Sequence, residues 1–173
     1  MATFKKCLAR FYIRRMKILM VCLGNICRSP LAEGILQHKA NAHFLDIEVD
    51  SAGTGNYHIG EAPHILSQKV AKENSVDITQ QKCRQFKKTD FEIFDKIYVM
   101  DSDNYNDVKS MAGDYFDENK IDLLLNELYP NENREVPDPW FGGLEDFKKV
   151  YAMLDAACEV VINKFLAAQQ QQQ

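Results

Sequence analysis

The spacing of apolar and polar positions changes several times along the chain, and each change marks an element. Ile18-Leu19-Met20-Val21 is a short, unbroken, partly β-branched apolar run with a basic flank, which predicts a buried strand of a parallel sheet. A helix is predicted over residues 29–42, with Ser29 as N-cap, Pro30 at the first helical position and Glu33 within the first turns. A second strand follows over 46–52 and a loop over 53–63. Ile65, Leu66, Val70 and Ala71 recur at helical spacing, and residues 87–94 fit a short helix ahead of a strand over 96–100. Asp101 is placed to cap a helix reaching about Ala112, and residues 123–128 are expected to hold a fourth strand. From about Leu144, one helical face carries Phe147, Val150, Tyr151, Leu154, Ala157, Cys158 and Val161 as an apolar stripe. Strands alternating with helices predict an α/β fold, a single-domain three-layer sandwich. Its central sheet would be parallel, mostly four-stranded and doubly wound, with helices on both faces.

Composition narrows the class. The 173 residues are one domain long, and with 46% hydrophobic residues and a mean hydropathy of −0.36 they can build a full core. A net charge of −4 and a pI near 5.6 give no basic surface for nucleic acid, and no stretch is long and apolar enough to span a membrane. The five cysteines, Cys7, Cys22, Cys27, Cys83 and Cys158, are odd in number and lack paired CxxC spacing, which suits a reduced cytoplasm. His38, His43, His58 and His64 show no HExxH pattern and read as surface residues; neither a metal nor a cofactor is expected. Residues 1–16 form a basic N-terminal extension outside the fold. We read it as an upstream initiation or a dispensable segment rather than a targeting signal. The folded domain is expected over 17–167 and a Gln-rich tail over 168–173.

The candidate chemistry lies where the first strand ends. In Val21-Cys22-Leu23-Gly24-Asn25-Ile26-Cys27-Arg28-Ser29-Pro30, Cys22 stands at the carboxyl end of a parallel strand, where open α/β sheets bind ligands. Gly24 and Asn25 tolerate positive φ, so successive amides can turn inward as an anion-binding nest, with the positive end of the following helix aimed at it. Arg28 adds a planar fork that matches two phosphoryl oxygens. A thiol facing a helix N-terminus and a guanidinium is favoured as thiolate. A cysteine ending a core strand is ordinarily a small hydrophobe, and a Gly-Asn turn is common. It is the conjunction of glycine, asparagine, arginine, serine and proline that favours a phosphate trap with sulfur in its floor.

That segment resembles the active-site loop of the low-molecular-weight protein tyrosine phosphatases. Asp50-Ser51-Ala52-Gly53-Thr54 resembles the second strand of that family and the loop after it, Phe94 to Asp101 its third strand, and Val136-Pro137-Asp138-Pro139-Trp140 its late acidic loop. The resemblance runs from about Lys17 to Phe165 and implies a flavodoxin-like fold and hydrolysis of phosphotyrosine in proteins without a metal. Cys22 would be the nucleophile of a cysteinyl-phosphate intermediate. Arg28 and the loop residues Leu23, Gly24, Asn25, Ile26 and Cys27 would hold the phosphate, and Asp138 would serve as general acid and then base. Ser29 would donate to the Cys22 sulfur, Asn25 would brace the loop with Ser51, and Tyr57, Trp140 and Leu23 would wall the entrance. Cys27 would close a protective disulfide with Cys22. The implied partners are phosphotyrosine proteins, with inorganic phosphate or similar oxyanions in the loop, and the implied location is the cytoplasm.

The chain departs from the family pattern at Gln81-Lys82-Cys83-Arg84-Gln85, where many members carry a histidine that joins the hydrogen bonds behind the loop. It departs again at Trp140-Phe141, where many carry tandem tyrosines, so tyrosine phosphorylation there is excluded. Arsenate reductases and protein-arginine phosphatases use the same loop and stay open as readings, as does a non-catalytic phosphotyrosine-binding module. Arsenate reduction needs relay cysteines, and Cys83 has no evident partner in sequence. Ile26, standing where arginine phosphatases typically carry threonine, favours a phenyl phosphate. A pure binding module has no use for Asp138.

Overall fold

The computed structural model describes residues 15–171. The extension expected over 1–16 therefore lies outside the described residues up to position 14, as do 172–173 of the tail. Among the described residues, strands and α-helices follow in the order β1 (Met16–Cys22), α1 (Arg28–Ala42), β2 (Ile47–Gly53), α2 (Ile65–Glu73), α3 (Asp90–Ile93), β3 (Lys96–Val99), α4 (Ser102–Ala112), β4 (Ile121–Leu123) and α5 (Leu144–Gln170). Met16 already pairs with Ile47, one residue ahead of the expected domain start, and α5 runs past Ala167 into the glutamines.

The four strands are all parallel, in the order β2-β1-β3-β4. Strand pleating decides which side chains meet which layer. Ile18, Met20 and Cys22 point to a core completed by α1, α2 and α5, while Leu19 and Val21 point to a second core with Phe91, Ile97, Val99 and Val108. Both faces of β1 are thus covered, which is why its sequence is continuously apolar. The α5 stripe behaves as its spacing predicts: all seven residues are buried.

The fourth strand differs from expectation. Only Ile121–Leu123 pairs, against Ile97, Tyr98 and Val99, and a 3-10 turn takes Leu124–Glu127. Leu123 packs in the second core, but Leu124 and Leu125 both pack in the first. An extended strand would send those two neighbours to opposite faces; a tight turn sends them to the same one. Asn126 secures the turn by donating to Asp122 Oδ1 at 2.7 Å.

Strand order reverses beside β1: the chain leaves it for β2 on one side and comes back to β3 on the other. Beyond the carboxyl ends of β1 and β3 this leaves a crevice. The late loop enters it because Val136 N–H donates to Met100 O at 2.8 Å, so Asp138 arrives opposite Cys22 and Arg28.

Candidate active site

Between Cys22 and Arg28 the chain turns around its own amides. Asn25 takes φ +52°, the left-handed region an asparagine tolerates, whereas Gly24 is not left-handed. The loop carbonyls are tied outward: Leu23 O accepts from Gly55 N–H, Gly24 O from the Cys83 thiol, Ile26 O from His64 N–H at 2.7 Å and Cys27 O from the Ser67 hydroxyl at 3.1 Å. With those carbonyls turned away, the loop amides turn toward the concave side, the arrangement that binds an anion. Gly53 is required by close approach, since a Cβ there would stand 2.8 Å from Leu23 O.

The helix start differs from the sequence expectation. Cys27, not Ser29, is the N-cap of α1, and it makes no side-chain cap bond. Ser29 lies inside the first turn with its hydroxyl turned to the loop, 3.1 Å from Cys22 Sγ and 2.9 Å from Asn25 Nδ2. Pro30 is therefore third in the helix, a position where its missing N–H costs nothing, and the uncapped amides of the first turn suit an anion.

Arg28 is almost fully buried, 3% exposed, and its fork is held from two sides. Nη1 donates to Asp101 Oδ2 at 2.5 Å and to Val136 O at 3.1 Å, and Nη2 donates to Asp138 Oδ2 at 2.8 Å. Nε is buried without a hydrogen-bond partner, a donor that a phosphoryl oxygen would satisfy. Asp138 Oδ1 accepts the backbone N–H of Trp140 at 3.1 Å. The Cys22 sulfur accepts from Asn25 N–H at 3.3 Å.

These groups line one cavity of about 420 Å³ with Leu23, Gly24, Ile26, Cys27, Tyr57 and Trp140. Of the residues expected from sequence, only Asn25, Ser29 and Ser51 stand outside its lining, and they sit behind the loop: Asn25 Nδ2 donates to Ser51 Oγ at 2.9 Å. Cys27 is buried, and burial pushes its thiol up to about 12, with Asp138 and Cys22 adding to the rise. Cys83 is pushed up to about 11 by burial first and by Cys22 second, so it faces the loop as a neutral thiol.

Several contributors were not read from sequence. Asp101 caps α4 by accepting Asn104 N–H at 2.7 Å, and its other oxygen orients Arg28; only the cap is visible locally. His58 was assigned to the surface, yet it lines the cavity, its ring 5.5 Å from Trp140 and its Nδ1 2.8 Å from Glu61 Oε2. His64 caps α2 through Nδ1 and stacks on Phe147 at 5.0 Å; burial lowers its pKa, which keeps the ring an acceptor for Leu66 N–H. Phe141, 98% exposed, completes the apolar rim. Arg84 donates its backbone N–H to Asn25 Oδ1 at 2.9 Å and its guanidinium to Asp50 and Asp90.

Fold and site together define a class, the single-domain α/β proteins that carry a thiol in the floor of an anion-binding loop. Residues 17–172 match the family model of the low molecular weight phosphotyrosine protein phosphatases. The low molecular weight protein-tyrosine-phosphatase YfkJ of Bacillus subtilis is 36% identical over 147 residues, covering 84% of this chain and 92% of its own. Its crystal structure superposes with a TM-score of 0.80 over 92% of this chain and 98% of its own. A protein tyrosine phosphatase structure from Entamoeba histolytica reaches the same TM-score at 36% identity, covering 89% of this chain and 99% of its own. The chain belongs to the low molecular weight phosphotyrosine protein phosphatase family and is a hydrolase.

Proposed function

We propose that the protein removes phosphate from phosphotyrosine in proteins through a cysteinyl-phosphate at Cys22. The observation that carries this reading is the convergence of Cys22, Arg28 and Asp138 on one cavity, with the Ser29 hydroxyl 3.1 Å from the sulfur. The phosphoryl group lies in the loop, or P-loop, its oxygens on the amides of residues 23–27, on Arg28 and on the first turn of α1. Taking those donors displaces Asp138 from Arg28 Nη2 and frees the carboxyl for the leaving oxygen. Cys22 Sγ attacks phosphorus, the S–P bond forms as the P–O bond breaks, and Asp138 gives its proton to the departing phenolate. Asp138 then takes a proton from water, which attacks phosphorus; the S–P bond breaks and inorganic phosphate leaves. The Ser29 hydroxyl supports the thiolate in both steps. Ile26, Tyr57, Trp140 and Leu23 give the apolar walls a phenyl ring needs, which favours an aryl phosphate over a phosphoguanidinium.

The working location is the cytoplasm, since the reading needs Cys22 as free thiolate. In this reading peroxide oxidises Cys22 and Cys27 closes a disulfide on it, with thiol as the reductant that restores activity. The test is metal-free hydrolysis of p-nitrophenyl phosphate and a phosphotyrosine peptide, with thiol present. Cys22→Ser should abolish turnover, and Asp138→Ala should lower kcat by about a hundredfold or more. Full activity in Cys22→Ser would contradict the reading.

A further inference from the structure

Behind the loop, the carboxyl group of Glu33 makes no salt bridge among the described residues. Glu33 lies on α1 just past Ser29, partly buried, and its Oε2 accepts the Ser51 hydroxyl at 2.5 Å. Having donated its only hydrogen, Ser51 Oγ can only accept, and it accepts from Asn25 Nδ2 at 2.9 Å. The same amide nitrogen gives its second hydrogen to Ser29 Oγ at 2.9 Å, while Arg84 N–H holds Asn25 Oδ1 from the far side at 2.9 Å. Ser29 Oγ, now an acceptor from Asn25, has one hydrogen of its own, with Cys22 Sγ at 3.1 Å as the nearer acceptor and Ala52 O at 3.4 Å as the farther. With the Ser29 hydrogen on its nearer acceptor, the donor directions are consistent from a carboxylate to the sulfur.

The charges around Glu33 are unbalanced. Asp50, on β2, acts on it with like charge, and the cation that offsets this is Arg84, whose guanidinium is already held by Asp50 at 2.8 Å and Asp90 at 3.1 Å. Gln81 stands where many family members carry histidine, and its neutral amide donates to Glu33 and to Pro30 O at 3.1 Å. Its other amide atom, Oε1, is buried with no hydrogen-bond partner. It is an acceptor within the one side chain that would gain from a proton on Glu33. Burial, with Asp50 behind it, pushes Glu33 up to about 7; Ser51, Arg84 and Gln81 pull the other way.

We propose that Glu33 is a positioning residue whose ionisation sets the chemistry at Cys22 from outside the cavity. It does so by holding Ser51 and Asn25 in the arrangement that presents the Ser29 hydroxyl to the sulfur. The inference rests on the reading of Cys22 as nucleophile. Ionised, Glu33 grips the Ser51 hydroxyl with a charge-assisted bond; protonated, it offers a weaker acceptor and turns its hydrogen to Gln81. The site thus gains a control that acts through neutral pH from outside the cavity.

The test is kcat for p-nitrophenyl phosphate across about pH 5 to 8.5 in wild type and Glu33→Gln, which is held neutral at every pH. The ratio of wild type to variant should climb from near unity below about pH 5.5 to about tenfold at pH 8, with KM little changed. A merely structural defect lowers kcat by the same factor at all pH, and a ratio independent of pH, unity included, overturns the proposal. Gln81→His gives an independent arm, because an imidazolium beside Glu33 keeps it ionised to lower pH. Its kcat should hold at lower pH than that of wild type, and a coincident profile also overturns the proposal. Alkylation of Cys22 by iodoacetamide needs no turnover. Wild-type and Glu33→Gln profiles should diverge through neutral pH, and superimposable profiles count against Glu33 even if the phosphatase reading itself fails.

Discussion

Arg28 is the residue on which the site's charges converge, and its two carboxylate partners are not equivalent. Asp138 is 41% exposed on its side chain and can leave; Asp101 is 19% exposed and anchored as the cap of α4. Asp101→Asn separates the two roles, since asparagine caps a helix as well as aspartate but brings no charge to the guanidinium. The variant should keep its Tm within about 2 °C while inhibition by inorganic phosphate weakens about tenfold; an equal loss of both would assign Asp101 to the cap alone. Ser29→Ala removes the hydroxyl nearest the sulfur. Its effect should fall on breakdown of the cysteinyl-phosphate, where sulfur is the leaving group, so a burst of phenol should precede a steady state slowed about tenfold or more.

At the scale of elements, the turn from β1 to α1 is a strained connection held by side chains from elsewhere. Asn25 bears positive φ and bonds Ser29, Ser51 and Arg84 N–H. Asn25→Gly loses the bonds and relieves the φ, whereas Asn25→Ala loses the bonds and keeps the strain. Chemical denaturation should therefore rank wild type above the glycine variant and the glycine variant above alanine, the last step about 1 kcal/mol. Glu33 leaves a signature in stability as well. Its pKa is raised from 4.5 to about 7 on folding, so its contribution is full below the unfolded value and is lost as pH rises through about 7. Between about pH 5 and 8 the Tm of wild type should fall relative to that of Glu33→Gln. Parallel Tm curves would show that Glu33 does not titrate there.

Over the whole molecule, what was legible in the sequence was contiguous. β1, the loop and the α5 stripe lie in unbroken segments where period and residue type coincide, so the sheet's centre and the place of Cys22 at the end of β1 are legible directly. The end of β4 is not, because three leucines in succession are apolar in either period and only packing sends Leu123 and Leu124 to different cores. Nor are the roles of Asp101, Arg84 and Glu33, whose contacts bridge 73, 59 and 18 positions. Ser29 fits the local pattern of a cap, but α1 starts one residue before it and the Ser29 hydroxyl is turned to Cys22 Sγ, Asn25 and Ala52 O rather than to the helix amides. Phe147 ties the layers together, fully buried on α5 and stacked on His64, whose backbone holds Ile26 O. Phe147→Ala should cost about 3–5 kcal/mol in denaturant and loosen the Ile26 side of the loop, seen as a raised KM.

The central claim is that phosphate passes through Cys22. Acid quenching of the wild-type enzyme during turnover of a phosphotyrosine peptide, followed by peptide mapping by mass spectrometry, tests it most directly. The account predicts a phosphate adduct on the peptide carrying Cys22, present during turnover and absent from Cys22→Ser. Turnover with no adduct there, or with phosphate on another side chain, would contradict it.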